Sequence, residues 1–454
     1  MNGERTLGVW LERQHIGSIV HVPPEKGDMS VFLLDESYRQ NPERPVLSLS
    51  FAADNGMLAY APRYINTRVH SFFSNLLPEG RLRDYLAHKS GVKPQREFNL
   101  LAALGEDLPG GVVVLPESEQ MAPDLGHGQD VSLPTYQEGE TLKFSLAGVQ
   151  IKMSAVENAR GGLTIPAYGR GGSWIVKLPS THFESVPENE FTMMRLADQL
   201  GLSVPKMHLL PVMDVEGLPK GMRRTENLFA IQRFDRDAHG GRIHMEDFAQ
   251  VFGLYPEQKY HKASYYNIAE VLLRTGGLST VQDFIRRITF MTAIGNGDMH
   301  LKNWSLLYPD GKHPELSPVY DMLSTLPYVS KRENMGLSFA KSKDFQDYSS
   351  SRITLFAERL GIEPSLLLAP AKHLAEAFPD VWSDLKRDAP MPAYMQEMVD
   401  THVRSIALFQ EVHPSLFSVR QGNLDSAQSF STHGEIPMSS IEGVKVQNNS
   451  LAPR

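Results

Sequence analysis

The chain has 454 residues, 41% of them hydrophobic and 22% charged, with a formal net charge of −8. These values suit a globular protein of roughly two to four domains with a large core. The absence of cysteine excludes disulfides, thiolate metal sites and thiol catalysis, and it fits a reducing compartment; the acidic balance excludes nucleic-acid binding over the whole surface and leaves a local basic patch or a basic partner. The first residues, Met1-Asn2-Gly3-Glu4-Arg5-Thr6, lead into no apolar run with a small-residue cleavage site. No stretch approaches the ~18 apolar residues of a membrane span. A soluble, cytoplasmic protein without a membrane partner is expected.

In chain order, residues 7–21 read as two short strands around a turn at Arg13-Gln14-His15. Phe32–Leu34, and then Leu47, Leu49 and Phe51, add further strands. Val69, Phe72, Phe73, Leu76 and Leu77 recur with helical spacing, and Pro78 ends that helix. A second helix around Phe98, Leu100 and Leu101 stops near Gly105. Pro109-Gly110-Gly111 then turns into a strand at Val112–Leu115. Residues 1–116 thus form a small α+β subdomain. Polar residues 117–140 read as a linker.

From 141 to 235 the pattern becomes mainly β: Leu142–Leu146, Ile151–Ala155, Trp174–Leu178 and Leu228–Phe234, with one helix at 187–200. From 236 to 415 helices dominate, at 265–275, 280–294, 352–361 and 391–410. A β lobe followed by a helical lobe places a cleft between them. Residues 416–454 are rich in Ser, Gln, Asn and Gly and are expected to be a disordered polar tail.

The chemistry-bearing string is Gly295-Asn296-Gly297-Asp298-Met299-His300-Leu301-Lys302-Asn303. It follows an apolar helix and precedes the strand-like Leu306-Leu307-Tyr308. In protein kinases an Asp-x-x-x-x-Asn loop presents an Asp that accepts or orients the substrate hydroxyl proton and an Asn that holds Mg2+. Alone, the string reads equally well as a polar turn. Across an expected hairpin lies Tyr320-Asp321, and two carboxylates with one amide make a hard-oxygen set suited to Mg2+. Lys177 is a lone cation in the apolar strand Trp174–Leu178. Burying it calls for an anion, and Glu188 and Glu190 open the next helix. The small residues of Ser145-Leu146-Ala147-Gly148-Val149-Gln150-Ile151-Lys152 would let backbone N–H groups approach phosphate, although a plain hairpin fits them as well.

Taken in order, these stretches resemble the HipA family of kinase toxins. The resemblance rests on Ser145–Lys152, Val176-Lys177-Leu178-Pro179, Asn189-Glu190, Arg233-Phe234-Asp235-Arg236, Asp298–Asn303 and Tyr320-Asp321, with Asn75-Leu76-Leu77-Pro78 in the N-terminal part. It implies an α+β, bilobal protein-kinase-like fold, with a mixed β N-lobe and a helical C-lobe behind the N-terminal α+β subdomain. It also implies ATP and Mg2+ as cofactors. Asp298 would be the catalytic base, Asn303 and Asp321 the metal ligands, and Glu190 the support of Lys177.

On the same resemblance, Ala147, Gly148, Val149, Gln150, Lys152, Lys177, Gln232, Phe234, His300, Lys302 and Tyr320 would surround the nucleotide. Gln232 stands where a Glu is found in the best-known member. Ser145 would be autophosphorylated, and its added charge would repel the nucleotide from the loop that cradles it. The implied partners are a small helix-turn-helix antitoxin, through which alone DNA is reached, and an aminoacyl-tRNA synthetase as substrate. Phosphorylation of the synthetase would halt translation and favour dormancy. Two other readings remain open at this level: a kinase-like phosphotransferase acting on a small molecule, and a catalytically weak co-repressor.

Overall fold

Apolar alternation between residues 5 and 116 builds a five-stranded sheet. The computed structural model describes residues 5–53, 57–117, 152–157, 163–165, 172–180, 183–218, 226–329 and 333–417. Strands β1 (Arg5–Leu11), β2 (Gln14–Val22), β3 (Met29–Leu34), β4 (Ile65–Asn66) and β5 (Val112–Pro116) lie in the order β4-β3-β2-β1-β5, each pair antiparallel. The β1–β2 turn is Glu12-Arg13, both at positive φ (49° and 68°), which is the demand of a tight two-residue hairpin. Gln14 and His15 therefore belong to β2, one step beyond the expected turn.

Helices α1 (Glu36–Gln40), α2 (Ser71–Leu76), α3 (Gly80–Lys89) and α4 (Glu97–Leu104) complete this part. Val9, Phe32, Phe72, Phe73, Leu100 and Leu101 share its core. All six residues of α2 are buried, so its apolar spacing reflects full burial rather than amphipathicity. Leu49–Phe51 forms one 3-10 turn instead of a strand, because Ser48 accepts the Ser50 N–H and caps it.

A second sheet follows, in the order β10-β7-β6-β8-β11-β9. It contains β6 (Lys152–Glu157), β7 (Leu163–Thr164), β8 (Trp174–Lys177), β9 (Met207–Pro211), β10 (Val215–Glu216) and β11 (Asn227–Gln232). Helix α5 (Val186–Gln199) packs on β9 and β11. Ala155, Val176 and Leu228 anchor this smaller core.

The larger lobe holds a three-stranded sheet, β12 (His244–Asp247), β13 (Ser305–Tyr308) and β14 (Glu315–Leu316). The β13–β14 pair is the expected hairpin between Asp298 and Asp321. Around it stand α6 (Phe248–Val251), α7 (Tyr265–Ala293), α8 (Ser350–Arg359), α9 (Ser365–Leu385), α10 (Ala393–Arg404) and α11 (Ala407–Val412). Helix α7 breaks at Gly277, whose φ of 72° no helix accepts. The break restores the two helices that the sequence predicts. Helix α9 is not among the helices the sequence predicts, and it contains Pro370 and Pro379. Pro370 frees the Leu366 carbonyl, and Gln282 Nε2 takes it at 3.0 Å.

The chain divides into a large unit, Met1–Val412, and a C-terminal unit, His413–Arg454. The second unit has one described helix, α12 (Pro414–Phe417). The predicted linker and all but the first two residues of the predicted tail lie outside the described residues.

Within the large unit, the first sheet and its helices are bonded to the segment after β11 and to β12 through buried polar groups. Arg233 and Arg236 bridge Asp235 to Asp107, and Asp235 accepts the Gly110 N–H at 2.8 Å. Glu246 is fully buried and accepts from the Ser48 hydroxyl, the Leu49 N–H and the Tyr308 phenol. No helix among the described residues is long and apolar enough to cross a membrane.

Candidate active site

Helix α7 ends at Ala293, and Gly295, at φ 65°, turns the chain out of it. Asn296 is fully buried just beyond. Its Oδ1 accepts the Asp298 N–H at 3.0 Å and its Nδ2 donates to the Asp321 carbonyl at 3.2 Å. One amide therefore ties together the two loops that carry the predicted carboxylates. Leu301–Asn303 then makes a single 3-10 turn, and Asn303 Nδ2 donates back to the Asp298 carbonyl at 2.8 Å. That bond leaves Asn303 Oδ1 as the atom able to ligate a metal.

The Asp298 side chain keeps 40% of its surface exposed. Its Oδ1 accepts the Tyr260 phenol and lies 3.9 Å from His300 Nε2. Among the described residues, Oδ2 has no hydrogen-bond partner. Desolvation raises the Asp298 carboxyl above the usual range, the Asp321 charge adds to this, and the Tyr260 bond opposes it. Burial, together with the Lys259 charge, drives His300 down to about 3, so its imidazole is neutral.

Asp321 sits at φ 54°, a left-handed conformation that Asp tolerates better than most side chains. Lys177 donates to it and to Glu190, and Lys152 grips both of its oxygens at 2.8 and 3.0 Å. Lys177 reaches this point because β8 runs antiparallel to β6 and β11, with Lys152 and Phe229 as its cross-strand partners. Glu190, one of the two acids that the sequence offered as a counter-charge, comes from the first turns of α5, while Glu188 accepts instead from Asn227 at 2.8 Å. Burial opposes the charge on Lys177, but Asp321 and Glu190 outweigh it and lift the ammonium to about 12. Burial alone would raise Asp321, yet Lys152 and Lys177 hold it far below the carboxylate range. The cluster is a network of two ammonium and two carboxylate groups.

The structure thus brings Lys152, Lys177, Glu190, Asp298, Asn303 and Asp321 to one site. Phe234 and Tyr320 meet at 5.4 Å between ring centres, and the Tyr320 hydroxyl bonds Ser305 at 2.6 Å and the Lys302 carbonyl at 3.0 Å. Gln232 ends β11, and its N–H donates to the Lys206 carbonyl at 2.8 Å. Lys302 turns elsewhere, to Asn75 and Glu79. Ser145, Ala147, Gly148, Val149 and Gln150 lie outside the described residues.

Sequence reasoning missed Asn296 and Tyr260. Asn296 stood in the quoted string, and its place between two glycines was the available signal. Tyr260 gave none, since it arrives from a distant segment. Asn303 and Asp321 offer one amide and one carboxylate oxygen donor, a set that fits Mg2+, which completes its shell with water and phosphate oxygens.

Comparison with known proteins gives the family. The sequence matches the HipA N-terminal domain over residues 7–115 and the HipA-like C-terminal domain over residues 144–382. Y4dM of Sinorhizobium fredii, a kinase by inference, is 46% identical over 386 residues, covering 84% of this chain and 93% of that protein. The serine/threonine-protein kinase toxin HipA of Shewanella oneidensis is 24% identical over 355 residues, covering 70% of this chain and 78% of that one. A solved Shewanella oneidensis MR-1 structure, of HipA with HipB and operator DNA, superposes with a TM-score of 0.67 at 21% identity, covering 94% of this chain and 100% of that chain. That likeness gives the fold: α+β and bilobal. With both family domains matched in order and a relative so similar over most of its length, this chain belongs to the HipA family.

Proposed function

We propose that this protein is an ATP-dependent serine/threonine protein kinase and the toxin of a toxin–antitoxin pair. The observation that carries the reading is the joining of the Lys177–Glu190 ion pair to Asp321, next to the loop that presents Asp298. A lysine held by a helix glutamate beside a metal-binding carboxylate is the kinase arrangement for gripping phosphates.

In this reading Lys177 and Lys152 turn from Asp321 to the ATP phosphates. Asn303 and Asp321 would hold Mg2+, which supplies charge neutralisation to those phosphates. Asp298, with its raised carboxyl and available Oδ2, accepts the proton of the substrate hydroxyl. The hydroxyl oxygen bonds the γ-phosphorus, the bond from that phosphorus to the bridging oxygen breaks, and ADP leaves. Phe234, Tyr320 and Gln232 border the adenine, and His300 stands beside Asp298 as a neutral ring.

The toxin role is supported by the name of the Shewanella relative, and a HipB-like helix-turn-helix antitoxin by the solved complex with operator DNA. An aminoacyl-tRNA synthetase substrate and autophosphorylation of Ser145 complete the proposal. The test compares wild type with Asp298→Asn for ATP turnover, with phosphoproteomics after expression of each. Loss of at least a hundredfold in turnover, and one dominant target absent from the variant, are expected. Equal turnover in the two proteins overturns the reading.

A further inference from the structure

Lys302 stands in the loop between His300 and Asn303, yet its ammonium is engaged by the N-terminal part of the chain. Nζ donates to the Asn75 carbonyl at 2.7 Å and to Asn75 Oδ1 at 3.2 Å. It lies 3.2 Å from Glu79 Oε1 and 3.5 Å from Asp247 Oδ2. The other Glu79 oxygen accepts Lys259 Nζ at 2.8 Å. The Lys259 carbonyl takes the Leu301 N–H at 3.2 Å, and its neighbour Tyr260 bonds Asp298. Asn75 is anchored in turn, donating to the Leu254 carbonyl at 2.7 Å and to the Ser71 carbonyl at 2.9 Å.

Pro78 ends α2 between these two residues, and α3 starts at Gly80. The break places an amide and a carboxylate side by side at the end of a buried helix. The Lys302 side chain is 14% exposed and Glu79 25%, so the contacts are shielded from water and act more strongly than a surface pair. Burial would raise the Glu79 carboxyl, but Lys302 and Lys259 bring it down to about 2, and it stays ionised.

We propose that Asn75 and Glu79 are positioning residues for phosphoryl transfer: the N-terminal subdomain holds the 298–303 loop in place by gripping Lys302 and Lys259. The catalytic consequence rests on the kinase reading; the hold on the loop does not. Lys302 is then a tether from the loop to the N-terminal subdomain rather than a nucleotide contact. The two anchors act on both sides of the site, since Lys302 adjoins Asn303 and Lys259 adjoins Tyr260.

The test uses the full chain with Glu79→Gln, Lys302→Met and the double variant. Hydrogen exchange over 298–303 is measured alongside kcat and KM for ATP. Each single variant should speed exchange of the loop about tenfold while Trp174–Lys177 keeps its wild-type rate. Each should lower kcat about tenfold, with KM for ATP within about twofold. The double variant should fall short of the sum of the two single effects, because the Lys302–Glu79 contact is shared, while Glu79 also holds Lys259 and Lys302 also bonds Asn75. Should Glu79→Gln fail to fold, Lys302→Met alone decides the question. Wild-type exchange in the loop, or equal acceleration across the whole molecule, overturns the proposal. A wild type without ATP turnover, together with a loosened loop in the variants, would instead refute the kinase reading and leave the tether standing.

Discussion

Replacing Lys177 by Met removes one ammonium from between two carboxylates. Lys177 and Glu190 keep only 5% and 1% of their side chains exposed, and Asp321 keeps 20%. Breaking a buried pair by deleting one partner costs about 3–5 kcal/mol, because the other charge is left unpaired in a poor solvent. Asp321 retains Lys152, so most of this cost falls on Glu190. Neutralising Glu190 as well should therefore recover stability: Lys177→Met/Glu190→Gln is expected to be more stable than additivity predicts by about 2–3 kcal/mol. Native-state hydrogen exchange of the Ile175–Lys177 amides, across the two single variants and the double, reads this coupling locally. On the proposed kinase reading, phosphoryl transfer stays lost in both proteins that lack Lys177, which separates the structural role of the lysine from the proposed catalytic one. Costs that add to within about 0.5 kcal/mol would refute the reasoning, since independent groups behave in that way.

Glu246 is expected to make stability depend on pH. Burial raises its carboxyl to about 7 against the bonds from Ser48, Tyr308 and the Leu49 N–H. The folded state then holds a proton that the unfolded state releases near pH 4.5. Its contribution is complete below that value and is lost as pH rises through about 7. The size is about 3 kcal/mol. Glu246→Gln should flatten the pH–stability curve between about pH 4.5 and 7; an unchanged slope in chemical denaturation would count against it. Gly336→Ala should strain the 298–303 loop, because an added Cβ would lie 2.8 Å from the Met299 carbonyl carbon and oxygen. A stability loss of about 1–3 kcal/mol and a fall in kcat are expected, with ADP affinity by calorimetry within about twofold of wild type.

Much of the site was legible because its signals are local. A glycine-flanked Asp and a following Asn stand within one short string, and a lone lysine in an apolar strand requires a counter-charge. The strands around Lys177 and the two halves of α7 also followed from period and from glycine. Other features did not follow. The prolines of α9 hid a helix of 21 residues, because the side chain that satisfies the freed Leu366 carbonyl lies on α7. The 3-10 turn at Leu49–Phe51 looked like a strand, because its apolar spacing is shared by both conformations. Lys302, which the resemblance sets near the nucleotide, bonds acceptors on α2 and before α3 that lie more than two hundred residues away, a pairing no local pattern shows.

The amino-acid order alone determined most of the elements, α9 and the turn at Leu49–Phe51 excepted, and which side chains carry charge into apolar surroundings, since helix and strand periods and desolvation costs act over a few neighbours. Only the tertiary structure decided which charges meet. It set Lys152 beside Asp321, Tyr260 on Asp298 and Glu79 on Lys302, because a short-range ionic or hydrogen bond depends on distance in space, and no local pattern encodes that distance.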